Sequence, residues 1–256
     1  MILTTLSHDY ELPGEAQVSI GFGYRARIGH IYPSDGICDY EIQMMAPRGV
    51  QFLTTRLPFR RTGLDDDRAM VHGVAGAAAL LADAAVDLIA FNCTAASMLA
   101  GPEVIREQVA AATGGIRCVT TIEAVVQGLR AVGARRIALL DPYPDEVKEA
   151  EVAYLTGQGF AVVARGGSRC ETPVEQGSIP AAEWVRLASD LDTVGADTVL
   201  ISCAGTQTAD AIAAIEASTG LPVVTSNQAL LWHALSACGI DDPIHAYGRL
   251  LTLPRT

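Results

Sequence analysis

Two stretches of the chain end an apolar run at a cysteine. Leu88–Met98 reads L-I-A-F-N-C-T-A-A-S-M, and Val199–Thr208 reads V-L-I-S-C-A-G-T-Q-T. Cys93 and Cys203 stand 110 residues apart (203 − 93), and Asp87 and Asp197 ahead of the two runs keep the same spacing (197 − 87). A strand that delivers a thiol to a turn of small residues sets up specific chemistry. Backbone N–H groups in such a turn are unpaired; they bind anions and stabilise a thiolate, whose free pKa of about 8.5 falls there. Two such corners facing one carbon let one thiol remove a proton while the other delivers one. Alternatively, one thiolate adds to an activated alkene while the other handles the proton. Neither scheme needs a metal or a nucleotide.

The residues around the two thiols suit a small carboxylate. Thr94, Ala95, Ala204 and Gly205 are small enough to let it approach the backbone, and Asn92 sits beside Cys93 in the same corner. Tyr143, in the loop D-P-Y-P-D (141–145), offers a phenol to a carboxylate or an enolate. Ser34, Asp35 and Gly36 form the matching turn of the first half. His30, His72 and His233 have the chemistry for proton transfer, although His233 beside Trp232 reads as a packed helix residue. His8 and His245 carry no signal. Cys38, Cys118, Cys170 and Cys238 read as small apolar core residues with inert thiols.

The elements that must position these groups alternate. Strand-like runs at Ile28–Tyr32, Pro47–Leu57, Leu88–Asn92 and Arg117–Thr120 are interleaved with helical patterns at Asp66–Ala85, from Pro102, and at Thr121–Val132. The pattern then restarts with strands at Arg136–Leu140, Ala161–Ala164, Thr198–Ser202 and Pro222–Thr225. Helices follow at Asp145–Gln158, Ile179–Val194, Asp210–Ser218 and Asn227–Cys238. Alternation of this kind predicts an α/β fold of two pseudo-symmetric parallel-sheet halves, with the site in the cleft at the carboxyl ends of the strands. Residues 1–26 are expected to be an N-terminal extension, 27–133 the first half and 134–256 the second. The C-terminal segment allows a strand to be exchanged back to the first half.

Composition narrows the functions. The 256 residues are 50% hydrophobic and 18% charged with a net charge of −11, as in a globular protein, and that sign argues against a nucleic-acid partner. No run reaches the 18 apolar residues of a membrane span, and the N-terminus has no secretory pattern. Six cysteines without a C-x-x-C pair argue against zinc and against a disulfide scaffold, and point to the reducing cytoplasm. There is no G-x-S-x-G elbow and no Walker loop, and Gly21-Phe22-Gly23 precedes a strand instead of following one.

At these residues the chain resembles the aspartate/glutamate racemase superfamily, in the branch of the maleate cis–trans isomerases, arylmalonate decarboxylases and ectoine-utilisation racemase-like proteins. The resemblance rests on R-I-G-H-I-Y-P-S-D-G (27–36), F-N-C-T-A-A-S (91–97), A-L-L-D-P-Y (138–143), I-S-C-A-G-T-Q-T (201–208), P-V-V-T-S-N-Q-A (222–229) and Y-G-R-L-L (247–251). It implies a cofactor-free homodimer. In it, the Cys93 thiolate adds to the alkene of a small dicarboxylate such as maleate, and Cys203 gives or takes a proton. Backbone amides at Cys93–Ala95 and Cys203–Gly205, with Tyr143, would hold the carboxylates. Two departures stand out: Gly36 occupies the place of a substrate-contacting asparagine in maleate isomerases, and E-T-P-V-E-Q-G (171–177) lacks a second one. A racemase or epimerase using two-thiol proton exchange, a decarboxylase reprotonating through Cys203, and a non-catalytic small-acid binder are the alternatives.

Overall fold

Short strands with no polar face need cover on both sides, which parallel sheets sandwiched by helices provide. Leu88–Phe91 and Thr198–Ile201 are such strands, buried at every residue. In the computed structural model, which describes residues 21–255, each is an inner strand of its own four-stranded parallel sheet. The first sheet comprises β1 (Ala26–Pro33), β2 (Val50–Leu57), β3 (Leu88–Phe91) and β4 (Cys118–Thr120), in the order β2-β1-β3-β4. The second comprises β5 (Arg136–Asp141), β6 (Ala161–Gly167), β7 (Thr198–Ile201) and β8 (Val223–Thr225), in the order β6-β5-β7-β8. The topologies are identical, as the repeated pattern predicts.

The repeated aspartates have a structural reason. Asp87 accepts the Arg27 N–H at 2.8 Å and Asp197 accepts the Arg136 N–H at 3.0 Å, so each clasps the start of the neighbouring strand. One residue past each inner strand, Asn92 N–H donates to Ile31 O and Ser202 N–H to Leu140 O, both at 2.8 Å. Both cysteine corners therefore leave their sheets at the same register.

Helices α1 (Tyr40–Met45), α2 (Leu64–Met70), α3 (Val74–Ala82), α4 (Thr94–Ala100), α5 (Pro102–Thr113) and α6 (Thr121–Ala131) accompany the first sheet. The second carries α7 (Asp145–Gly157), α8 (Pro173–Gly177), α9 (Ala181–Asp190), α10 (Ala209–Thr219) and α11 (Ser226–Ala237). One core runs through both halves, joining Ile28, Leu88, Val125 and Leu129 to Leu139, Leu200, Val224 and Leu230. Helices α6 and α11 lie against each other at its centre, where a Cβ on Gly128 would meet that of Ala229 at 3.4 Å. Helix α11 also touches β3 and β4, and among the described residues no strand follows β8. The segment after α11 also meets the first half, Asp242 pairing with Arg25 and Leu250 lying against Gly128.

The expected helix Asp66–Ala85 is in fact α2, a 3₁₀ turn at Val71–Gly73 and α3. At the break, a Cβ on Gly73 would stand 2.9 Å from Leu57 Cδ2. Helices α1, α4 and α8 are additions to the sequence reading. Most of the expected extension 1–26, and His8 with it, lies outside the described residues. Among the described residues, no helix is long and apolar enough to cross a membrane.

Candidate active site

Cys93 is the N-cap of α4, with extended backbone (φ −148°, ψ 113°), so its thiol stands at the head of the helix. The Ala96 N–H points at its sulfur. On the other side lies a carboxylate: Asp67 Oδ1 is 3.8 Å from Cys93 Sγ. Cys203 follows β7 at φ 155°, a value that side-chain-bearing residues rarely adopt. Its sulfur accepts the Gly205 N–H at 3.2 Å and meets the Tyr143 hydroxyl. Gln176 Oε1 lies 3.3 Å from it.

Both thiols line one tight cavity of about 20 Å³, room for roughly one water molecule. Of the sequence-predicted residues, Gly36, Thr94, Ala95, Tyr143, Ala204 and Gly205 line it with them. Ser34, Asp35 and Asn92 do not. Ser34 is exposed at the rim, where its hydroxyl donates to Phe59 O at 3.1 Å and accepts the Phe59 N–H at 3.0 Å. Asp35 is half-buried outside the lining. Gly36 leaves no room for the asparagine of the resemblance, since a Cβ there would come within 2.4 Å of the Tyr32 ring. The Tyr32 hydroxyl instead crosses to Ala204 O at 3.1 Å.

Asn92 belongs to the seam between the halves. Its amide nitrogen lies 3.0 Å from His30 Nε2 and donates to Asn227 Oδ1 at 2.9 Å, while its oxygen accepts from Thr121 at 2.9 Å. Both ends of the amide are engaged in the seam, away from the cavity lining. Asn227 continues the chain to the buried Glu41, which also takes the Thr208 and Ala209 N–H groups. His30 is fully buried and pushed down to about 4 by desolvation, which keeps it a neutral bridge. His72 is exposed, and His233 lies apart from the cavity.

Ser226 ties the two thiol corners together. The Thr225–Gln228 capping box starts α11 so that Ser226 enters the seam. There its hydroxyl oxygen accepts the Cys203 N–H at 3.0 Å and the Thr94 hydroxyl at 2.9 Å. Replacing Ser226 with alanine strands two buried donors, and the expected loss is about 2 kcal/mol of stability in urea denaturation. A change below about 0.5 kcal/mol, the range of an ordinary surface substitution, contradicts this role.

Burial governs the protonation states. It pushes the Cys93 thiol well up, helped by the negative charge of Asp67 and opposed by the Ala96 N–H. Cys203 is pushed up by burial too, against the pull of the Gly205 N–H and the Tyr143 hydroxyl. Asp67 itself, 1% exposed, rises to about 7 because its carboxylate is desolvated. The two thiols therefore face different surroundings: the Asp67 carboxylate opposes ionisation of Cys93, while the Gly205 N–H and the Tyr143 hydroxyl favour that of Cys203.

Sequence reasoning missed Asp67, Gln176, Thr62 and Phe59. Asp67 is one of three successive carboxylates in the first turn of α2. Its signal was the spacing Leu64, Asp67, Met70, Val71 and Val74, which puts a carboxylate in the inward stripe. Gln176 comes from the stretch that lacks the expected asparagine. The capping box of Thr172 and Glu175 starts α8 there, and Gln176 Nε2 donates to Thr62 at 2.8 Å with its oxygen toward Cys203. Among the described residues, no group of three or more His, Cys, Asp or Glu could hold a metal ion.

Residues 28–251 match the arylmalonate decarboxylase family. The chain is 30% identical to the maleate isomerase of Nocardia farcinica, over 88% of this chain and 95% of that protein. It is 33% identical to the arylmalonate decarboxylase of Bordetella bronchiseptica over 53% of this chain and 58% of that one. Its fold superposes with a TM-score of 0.82 on a cysteine-to-serine variant of the Nocardia farcinica isomerase that carries a covalently bound succinylcysteine intermediate (26% identity, 89% of this chain, 98% of that one). With two cysteine corners on matching sheets and a family match across nearly the whole chain, this protein is an enzyme of the arylmalonate decarboxylase family, in the branch of the aspartate/glutamate racemase superfamily that includes the maleate isomerases.

Proposed function

We propose that the protein is a cofactor-independent cis–trans isomerase of a small dicarboxylate, with maleate as substrate and fumarate as product. The observation that carries this reading is the unequal pair of thiols on one small cavity. A decarboxylase that only reprotonates needs one of them; addition to an alkene uses both. Cys93 is the nucleophile, and the Cys203 thiol, whose conjugate base the Gly205 N–H and the Tyr143 hydroxyl stabilise, is the proton donor.

The step balances. The Cys93 thiolate forms a bond to one alkene carbon, the π pair moves to the other, and that carbon takes the proton of Cys203. The resulting succinyl thioether has a single bond about which it rotates. Cys203 then removes the proton, the C–S bond breaks, and the pair returns to Cys93 as the trans alkene forms. The Thr94–Ala95 backbone holds one carboxylate and the Ala204–Gly205 backbone with Tyr143 the other. The same reading takes the protein to be a cytoplasmic homodimer of chains with halves at 27–133 and 134–256; its six free cysteines suit a reducing compartment.

Proton NMR of maleate incubated with the protein in deuterated water tests it. Fumarate should accumulate. If maleate persists unchanged while an amino or hydroxy acid exchanges its Cα proton, the protein is a racemase. If a malonate loses carbon dioxide, it is a decarboxylase.

A further inference from the structure

The Cys93 thiol has a problem that the donors around Cys203 do not solve. It is 8% exposed, burial opposes its ionisation, and the Ala96 N–H alone points at it. A nucleophile in that position needs a proton acceptor within reach. The structure holds one that the isomerase reading does not use. Asp67 Oδ1 is 3.8 Å from the sulfur, and the carboxylate lines the same cavity. Its other oxygen takes the Gly63 N–H at 3.1 Å, which fixes the carboxylate toward the thiol.

We propose that Asp67 is a catalytic residue: the acceptor of the Cys93 thiol proton as the thiolate adds to substrate, and its donor when the C–S bond breaks. The proposal rests on the isomerase reading for its substrate and on the Asp67–Cys93 geometry for its chemistry. The proton leaves sulfur for Oδ1, the thiolate's electron pair forms the C–S bond, and both return on elimination; no other reagent enters. The transfer conserves charge: the negative charge of the Asp67 carboxylate moves to the attacking sulfur.

Cys93 faces Asp67 from the head of α4, Asp66 acts from its own helix, Glu146 of α7 lies beyond Gly63, and Cys203 acts on Cys93 from across the cavity. None is a cation, so nothing among them holds the Asp67 carboxyl ionised well below neutrality. The carboxyl that sits near 7 must lose its proton before it can accept one. Activity should therefore rise with pH through about 7 and then level.

The test is Asp67→Asn, which preserves shape and removes the base, read in two ways. First, kcat for maleate should fall about 100-fold or more, with KM changing far less. Second, alkylation of Cys93 by iodoacetamide, followed by mass spectrometry of its peptide, should inflect near pH 7 in the wild type and lose that inflection in the variant. A kcat within about twofold of wild type, or an inflection that survives, overturns the proposal. If the variant does not fold, the wild-type alkylation profile decides, because a rate that climbs without inflection overturns it. If the wild type does not isomerise maleate, the isomerase reading has failed, and the two alkylation profiles still decide whether Asp67 takes the Cys93 proton.

Discussion

Cys93→Ala is expected to lower kcat/KM for maleate by at least about 10⁴-fold, because it removes the atom that forms the bond. What remains would be only the binding contributed by the backbone amides and Tyr143. Since residues that act as one unit are not additive, the double variant Cys93→Ala/Cys203→Ala should be no worse than Cys93→Ala alone. The variant should fold normally. Cys93 packs at the edge of an apolar cluster beside Phe91 and Ala96, and alanine there deletes one sulfur atom from a wall of the cavity. The assay is the fall in maleate signal by NMR, with thermal unfolding as the control for structure. Retention of more than a tenth of the activity would exclude Cys93 as the nucleophile.

The second large effect falls on the other thiol and has a different signature. Cys203→Ser replaces a thiol by a hydroxyl that releases its proton far less readily. The thioether can still form, with solvent supplying the proton, but its removal for elimination loses its base. Turnover should fall about 10³-fold. The covalent adduct should now build up, because the block lies after bond formation. Cys93→Ala should show no adduct at all. The two cysteines, alike in the sequence, would thus be told apart by where the reaction stops. That asymmetry follows from their neighbours: Asp67 for Cys93, and the Gly205 N–H with Tyr143 for Cys203.

Much of the architecture was legible because it depends on local pattern. The matched spacing of Asp87 and Asp197 follows from a strand-start clasp that each sheet needs once, and buried runs such as L-I-A-F must sit between two neighbours. The cysteines could be read from their corners for the same reason. Other features depend on contacts between distant segments. Ser226 sits 23 residues from Cys203 and 132 from Thr94 in sequence, and only the packing of α11 against the first half brings it to both. Asn92 looked available to a substrate because its partners, His30, Thr121 and Asn227, lie 62, 29 and 135 residues away. Tyr32 fills the space beside Gly36 from a strand buried at every residue but Arg27, so no alternation in the sequence tells which face it takes. Asp67 falls between these cases, since the helical stripe that buries it is visible in the sequence but its neighbour Cys93 is not.

On the proposed mechanism, Cys93 forms a covalent bond to the substrate while Cys203 handles the proton. Intact-mass spectrometry of the Cys203→Ser protein after exposure to maleate, followed by peptide mapping, tests it most directly. A gain of one maleate per chain, located on Cys93, is the expected result. An adduct on another cysteine such as Cys38, or no adduct while the variant still converts maleate to fumarate, would contradict it.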